Sequence, residues 1–127
     1  MTEPRDRYFG NTVSERVAMY PEELPVDAVG LWQIIPFGRD GFGFEGDELT
    51  DFARRCITAL LERGARPVRG GAGTPYFWIL QPQYGSTTEE IVEAVIAEWL
   101  ASGGGDPDPG DLWFALPEFY EMRKDGR

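Results

Sequence analysis

Hydrophobic positions follow two periods along the chain, and each period assigns an element. Leu49, Phe52, Ala53, Cys56, Ile57, Leu60 and Leu61 recur at i, i+3, i+4 and i+7, which places them on one face of a helix. Asp47 stands where an N-cap belongs and Gly64 where the glycine past the C-cap belongs. Ile91, Val92, Val95, Ile96, Trp99 and Leu100 repeat the helical spacing behind a capping box of Thr87 and Glu90, and glycines from 103 close it. Shorter apolar runs bounded by turn residues predict strands: VGLWQII (29–35, ended by Pro36), RPVRG (66–70), PYFWILQ (75–81) and LWFAL (112–116). The short GAGT link between the second and third predicts a hairpin.

The resulting order, β-α-β-β-α-β, is the α+β ferredoxin-like plan: an antiparallel sheet in strand order 4-1-3-2 with two helices on one face. It places VGLWQII and PYFWILQ, the two longest apolar runs, at the centre of the sheet. This domain spans residues 29–117. Residues 1–28 form an N-terminal extension expected to pack on the domain or on a partner, with a Thr12–Glu15 capping box heading a short helix that ends near Tyr20, before Pro21. Residues 118–127 are an irregular tail.

In that plan three connections share one end of the sheet: 37–48, 70–74 and 102–111. Together they hold eleven of the sixteen glycines, so the backbone there is free to turn sharply or to approach a ligand. Arg39, Asp40, Glu45, Arg69, Asp106 and Asp108 are the candidate binding residues on this rim. The opposite face of the sheet poses a second question, because both central runs are apolar in both phases. Burying the amides of Gln33 and Gln81 under helices without partners would cost about 1–3 kcal/mol each. Leu31, Gln33, Ile35, Phe77 and Ile79 are therefore expected to face away from the helices, as an interface covered by the leader or by a second copy of the chain.

Composition narrows the chemistry. Twelve basic against twenty-two acidic residues give a net charge of −10, which disfavours a phosphate backbone and favours a basic partner. The excess lies at the two ends, and only residues 47–73 are net positive. There is no histidine, which removes the commonest general base, the Ser-His and Cys-His pairs and imidazole metal ligands. The lone Cys56 excludes an internal disulfide and sits in the apolar stripe of a helix, where a core thiol is expected. No apolar run approaches the ~18 residues of a membrane helix. The N-terminus lacks an apolar signal region, so the cytoplasm is the expected location.

The stretch GFGFEG (41–46) matches G-x-G-x-x-G by letter, but a dinucleotide fingerprint needs its first glycine directly after a strand and an acid about 20 residues on. Here Arg66 and Arg69 stand near that place, and Glu45, Asp47 and Glu48 crowd the helix start with negative charge. The ferredoxin-like plan is shared by acylphosphatases, whose corresponding loop ends in an arginine that holds phosphate. This chain carries Glu45 there, and the resemblance fails. Asp106, Asp108 and Asp111 lack the spacing of a calcium loop. No catalytic residue, metal or cofactor is assigned. The expectation is a non-enzymatic, immunity- or inhibitor-like interaction module, able to form a homodimer, that engages a basic protein partner. The alternative is a small-molecule or anion site on the glycine-rich rim, with Arg39 or Arg69 holding the anion.

Overall fold

The strongest apolar period in the sequence folds as its spacing demands. In the computed structural model, which describes residues 3–126, helix α3 (Gly46–Glu62) buries Leu49, Phe52, Ala53, Cys56, Ile57, Leu60 and Leu61 along one face. It ends at Gly64, whose φ of +105° is open to glycine at little cost. Helix α1 (Val13–Glu23) starts at the Thr12–Glu15 capping box and runs past Pro21, which is buried in its last turn. Helix α4 (Thr88–Ala101) starts at the second box, with Thr87 and Glu90 exchanging hydrogen bonds at 3.1 Å. With α2 (Leu31–Phe42) these helices form one layer, α1, α2 and α4 each packing on α3. Among the described residues no helix is long and apolar enough to cross a membrane.

VGLWQII does not form a strand over its length. Only Val29–Gly30 pairs, as β1, and the chain turns directly into α2. The switch has a local cause: Gly30 N–H donates to Gln33 Oε1 at 2.7 Å, which closes the first turn. The buried positions Leu31, Ile34, Ile35 and Gly38 then recur at helical spacing. Pro36 inside the helix costs about 3 kcal/mol, but burying Leu31, Ile34 and Ile35 returns roughly 1.5–3 kcal/mol each, so burial wins. The GFGFEG stretch is the corner between α2 and α3. Gly43 ends α2 at φ +76° and Gly46 opens α3 at φ +53°. Phe42 and Phe44 stack at 5.2 Å on each other and lean on Phe52 at 5.5 and 5.9 Å.

The sheet is four-stranded and antiparallel, as the α+β class requires, but its order is β1-β4-β2-β3 rather than 4-1-3-2. Strands β2 (Arg66–Gly70), β3 (Trp78–Leu80) and β4 (Trp113–Ala115) join the short β1. Phe114 pairs with Val29 on one side and with Pro67 on the other, so among the described residues β4 links β1 to the β2–β3 hairpin. PYFWILQ, expected at the centre, supplies the edge strand. The strand directions nevertheless agree with the expected plan, and two of the three connections, 37–48 and 102–111, come together.

Register decides what each face carries. Val29, Pro67, Phe114, Arg69 and Ile79 point to the helices, while Trp113, Val68, Ala115, Trp78 and Leu80 point away. This reverses the phase expected for Ile79. Leu31, Gln33 and Ile35 lie on α2, with Leu31 and Ile35 in the core, and Phe77 precedes β3. The glutamine argument fails because both amides find partners: Gln33 on Gly30 and Gln81 on the Ile79 carbonyl at 3.0 Å. The far face is covered in part by the chain's other end. Phe119 of α5 (Pro117–Tyr120) and the adjoining Tyr120 pack there, Arg123 bridges to Tyr76, and Lys124 N–H donates to Pro75 O at 2.7 Å. The tail is therefore structured through these contacts, and the leader's helix packs on the helical layer instead.

Ahead of α1, Asp6 is only 3% exposed and accepts the backbone N–H groups of Phe9, Tyr8 and Asn11 at 2.6, 2.9 and 2.8 Å. Burial pushes its pKa up, and these backbone donors outweigh that and hold it below the ordinary 3.8. Because the folded value is the lower one, the contribution is complete above pH 3.8 and is lost as pH falls through the folded value. Asp6→Ala should cost about 1–3 kcal/mol in urea unfolding at neutral pH. The gap from wild type should narrow only below pH 3.8. A second test concerns the α2–α3 contact, where a Cβ on Gly38 would lie 2.6 Å from Phe52 Cδ2 and 2.9 Å from Leu49 Cδ1. Gly38→Ala gains about 1 kcal/mol in helix propensity and loses about 1–3 kcal/mol to overpacking. Phe52 is wedged by two rings and cannot yield, so a net loss of stability is expected.

Candidate functional site

The rim is assembled by the loop that follows α4. Two indoles pin it: Trp99 Nε1 donates to Gly105 O and Trp113 Nε1 to Pro109 O, each at 2.7 Å. Asp111 tightens the same loop by accepting the backbone N–H of Asp108 at 2.9 Å. Held in this way, Asp106 meets Arg39 at the far end of α2, and Arg39 also contacts Asp40 at 2.8 Å. Hydrogen bonds to Asp40 and Asp106 push the guanidinium pKa up, and Arg39 in turn lowers that of Asp40.

Between this loop, α4 and β2 lies a cleft of about 230 Å³. Leu31, Val95, Trp99 and Leu112 form its apolar lining, and Arg69, Glu98, Asp106 and Asp111 its polar one. Arg69 is not available as a bare cation. Its guanidinium reaches Glu98 at 3.3 Å and the Tyr84 hydroxyl at 3.0 Å, and that hydroxyl donates to Glu98 at 2.6 Å. Burial and the bond to Glu98 raise the Tyr84 pKa, so the phenol stays protonated at neutral pH. A wider groove of about 710 Å³ adjoins on the other side of α4, between its C-terminus and the start of α3. Asp47, Asp51 and Arg54 line it together with Leu49, Trp99 and Leu100, the last 51% exposed. Arg54 is already bound by Glu93 at 2.8 Å and Asp51 at 3.1 Å.

Four of the six rim candidates thus come together: Arg39, Asp40 and Asp106 in one ion-pair cluster, and Arg69 across the cleft. Glu45 stands at the N-cap position of α3 without a side-chain capping bond, and Asp108 is exposed on its loop; neither lines the cleft. Glu98 and Tyr84 escaped the sequence reading. Glu98 lies on the exposed flank of α4, outside its buried stripe, so helical periodicity gave no signal for it. Tyr84 carried none, since its 3-10 turn (Pro82–Tyr84) reads as a simple connection.

Cys56 is fully buried and burial pushes its thiol pKa up, so no nucleophile is offered. Among the described residues no group of three or more acidic or cysteine side chains is arranged to hold a metal ion. No protein-family model, curated protein or solved structure matches the chain.

Arg39 and Asp106 are both partly exposed, at 38% and 45%, so their pairing contributes little to stability. Asp106→Asn is expected to change the unfolding free energy by less than about 1 kcal/mol, measured by urea titration. That makes it a clean probe of binding at the rim.

Proposed function

We propose that the chain is a non-enzymatic interaction module whose acidic rim docks a basic protein partner, in the manner of an immunity or inhibitor protein. The observation that carries this reading is the state of the rim arginines. Arg39, Arg54 and Arg69 are each engaged by the chain's own carboxylates, while Asp47, Asp108 and Asp111 form no ion pair among the described residues. An arriving anion would have to displace those carboxylates, whereas an arriving cation meets negative charge in excess.

Local charges on the helix ends agree in sign: the last turn of α4 holds no basic residue, and the first turn of α3 carries Asp47 and Glu48. A net charge of −10 steers a basic partner from a distance, although exposed pairs at a rim return only about 0–1 kcal/mol each. Affinity therefore needs apolar anchoring, which Leu49, Trp99 and Leu100 supply in the groove. The cleft of about 230 Å³ is below the ~300–1,000 Å³ of common small-molecule pockets and suits one inserted side chain. Its size and its occupied arginines weigh against the small-molecule or anion alternative.

Isothermal titration with a synthetic peptide of alternating arginine and leucine tests the reading. Binding should weaken with salt, and by about tenfold or more in Asp47→Lys and Asp108→Lys, with the fold unchanged by circular dichroism. Binding indifferent to both substitutions, or tighter binding of the corresponding glutamate–leucine peptide, would contradict it.

A further inference from the structure

Residues 70–88 carry no charged side chain, in a chain that is 27% charged. This stretch contains β3, which ends the sheet. Gly71 N–H donates to Phe77 O and Gln81 N–H to Pro67 O, both at 2.9 Å, so the inward ladder bonds fall on alternate residues 77, 79 and 81. Trp78 and Leu80 consequently turn their N–H and C=O groups outward. Tyr76 is bridged on that side by Arg123, but no described residue pairs with the outer side of Trp78 or Leu80. Phe77 and Leu80 are 48% and 40% exposed.

Proteins protect such an edge with lysine, inward charge, a bulge or proline, by keeping it short, or by covering it. Trp78–Leu80 is short, but it carries no lysine, inward charge, bulge or proline. We infer that β3 pairs antiparallel with the β3 of a second copy, joining two four-stranded sheets into one. The charge distribution selects this occupant. Two chains of −10 repel over most of their surfaces, yet this strand meets itself without bringing any like charges into contact.

Geometry agrees. A two-fold axis at Ile79 sets Trp78 opposite Leu80 of the second copy, twice, and these are the positions whose backbone groups point outward. Trp78 and Leu80 also share the face away from the helices. The new pairs therefore extend the apolar row that Trp113 and Trp78 begin, 5.2 Å apart. The Tyr76–Arg123 bridge limits the added ladder to these three residues, so the dimer is a reversible one. This inference does not rest on the rim: the edge strand contains none of its residues.

Sedimentation equilibrium on the full chain tests it. The mass should rise from 14.3 kDa toward twice that value with concentration. The amides of Trp78 and Leu80 should exchange more slowly as concentration rises. Leu80→Pro removes only an outward N–H, and Leu80→Lys places a charge opposite Trp78 of the second copy; both should stay monomeric with unchanged circular dichroism. A wild-type mass of 14.3 kDa up to about 500 µM overturns the inference. So does a dimer that survives both substitutions without change in the exchange of Trp78 and Leu80.

Discussion

Phe114 and its neighbours Trp113 and Ala115 hold the structure together. Val29 and Pro67 pair with Phe114 from opposite sides, and without β4 the two-residue β1 and the β2–β3 hairpin have no common partner. Phe114 and Ala115 are fully buried, on opposite faces of the sheet, so one short strand also joins the two hydrophobic clusters. The strand arrives late in the chain, which requires long-range closure, and the apolar burial at Phe114 is what offsets that entropy.

The rim follows from that insertion. Because β4 enters the centre, the loop before it must cross the end of the sheet between α2 and α4, and there it is tied down by the indoles of Trp99 and Trp113. Asp106 is thereby delivered to Arg39 across 67 residues of sequence, and Asp111 to the cleft that holds Arg69. Once those arginines have met Asp40, Asp106 and Glu98, the remaining carboxylates set the local potential. The same chain that gathers acids at one end leaves the stretch from 70 to 88 without charge, so its two candidate surfaces have opposite character. The first is the surface proposed to receive a cation, the second the one proposed to meet its own copy.

Much of this was legible in the residues. Regular spacing identified α3 and α4, and Thr12–Glu15 and Thr87–Glu90 marked two helix starts, because periodicity and capping are local. VGLWQII misled because β-branched residues and a following proline signal a strand, while Leu31, Ile34, Ile35 and Gly38 also satisfy a helix. The Gly30–Gln33 bond and tertiary burial on α3 together choose between them. Strand order was beyond reach for the related reason that shortening β1 to Val29–Gly30 frees the centre for LWFAL. The approach of 37–48 to 102–111 survived this error, since it depends on strand directions and not on their order. That Arg39 and Arg69 are already neutralised could not be read, because Asp106 and Glu98 reach them only in the folded chain.

Residues 98–111 and 38–51 are proposed to form one acid-rich surface that receives cations. The most direct measurement is a residue-resolved amide chemical-shift titration with an arginine-rich peptide, and in parallel with inorganic phosphate. The account predicts shifts in both segments along one common binding curve for the peptide, and none at Arg39 or Arg69 for phosphate at equal ionic strength. Shifts confined to one segment or lying outside both, or saturable phosphate binding at those arginines, would contradict it.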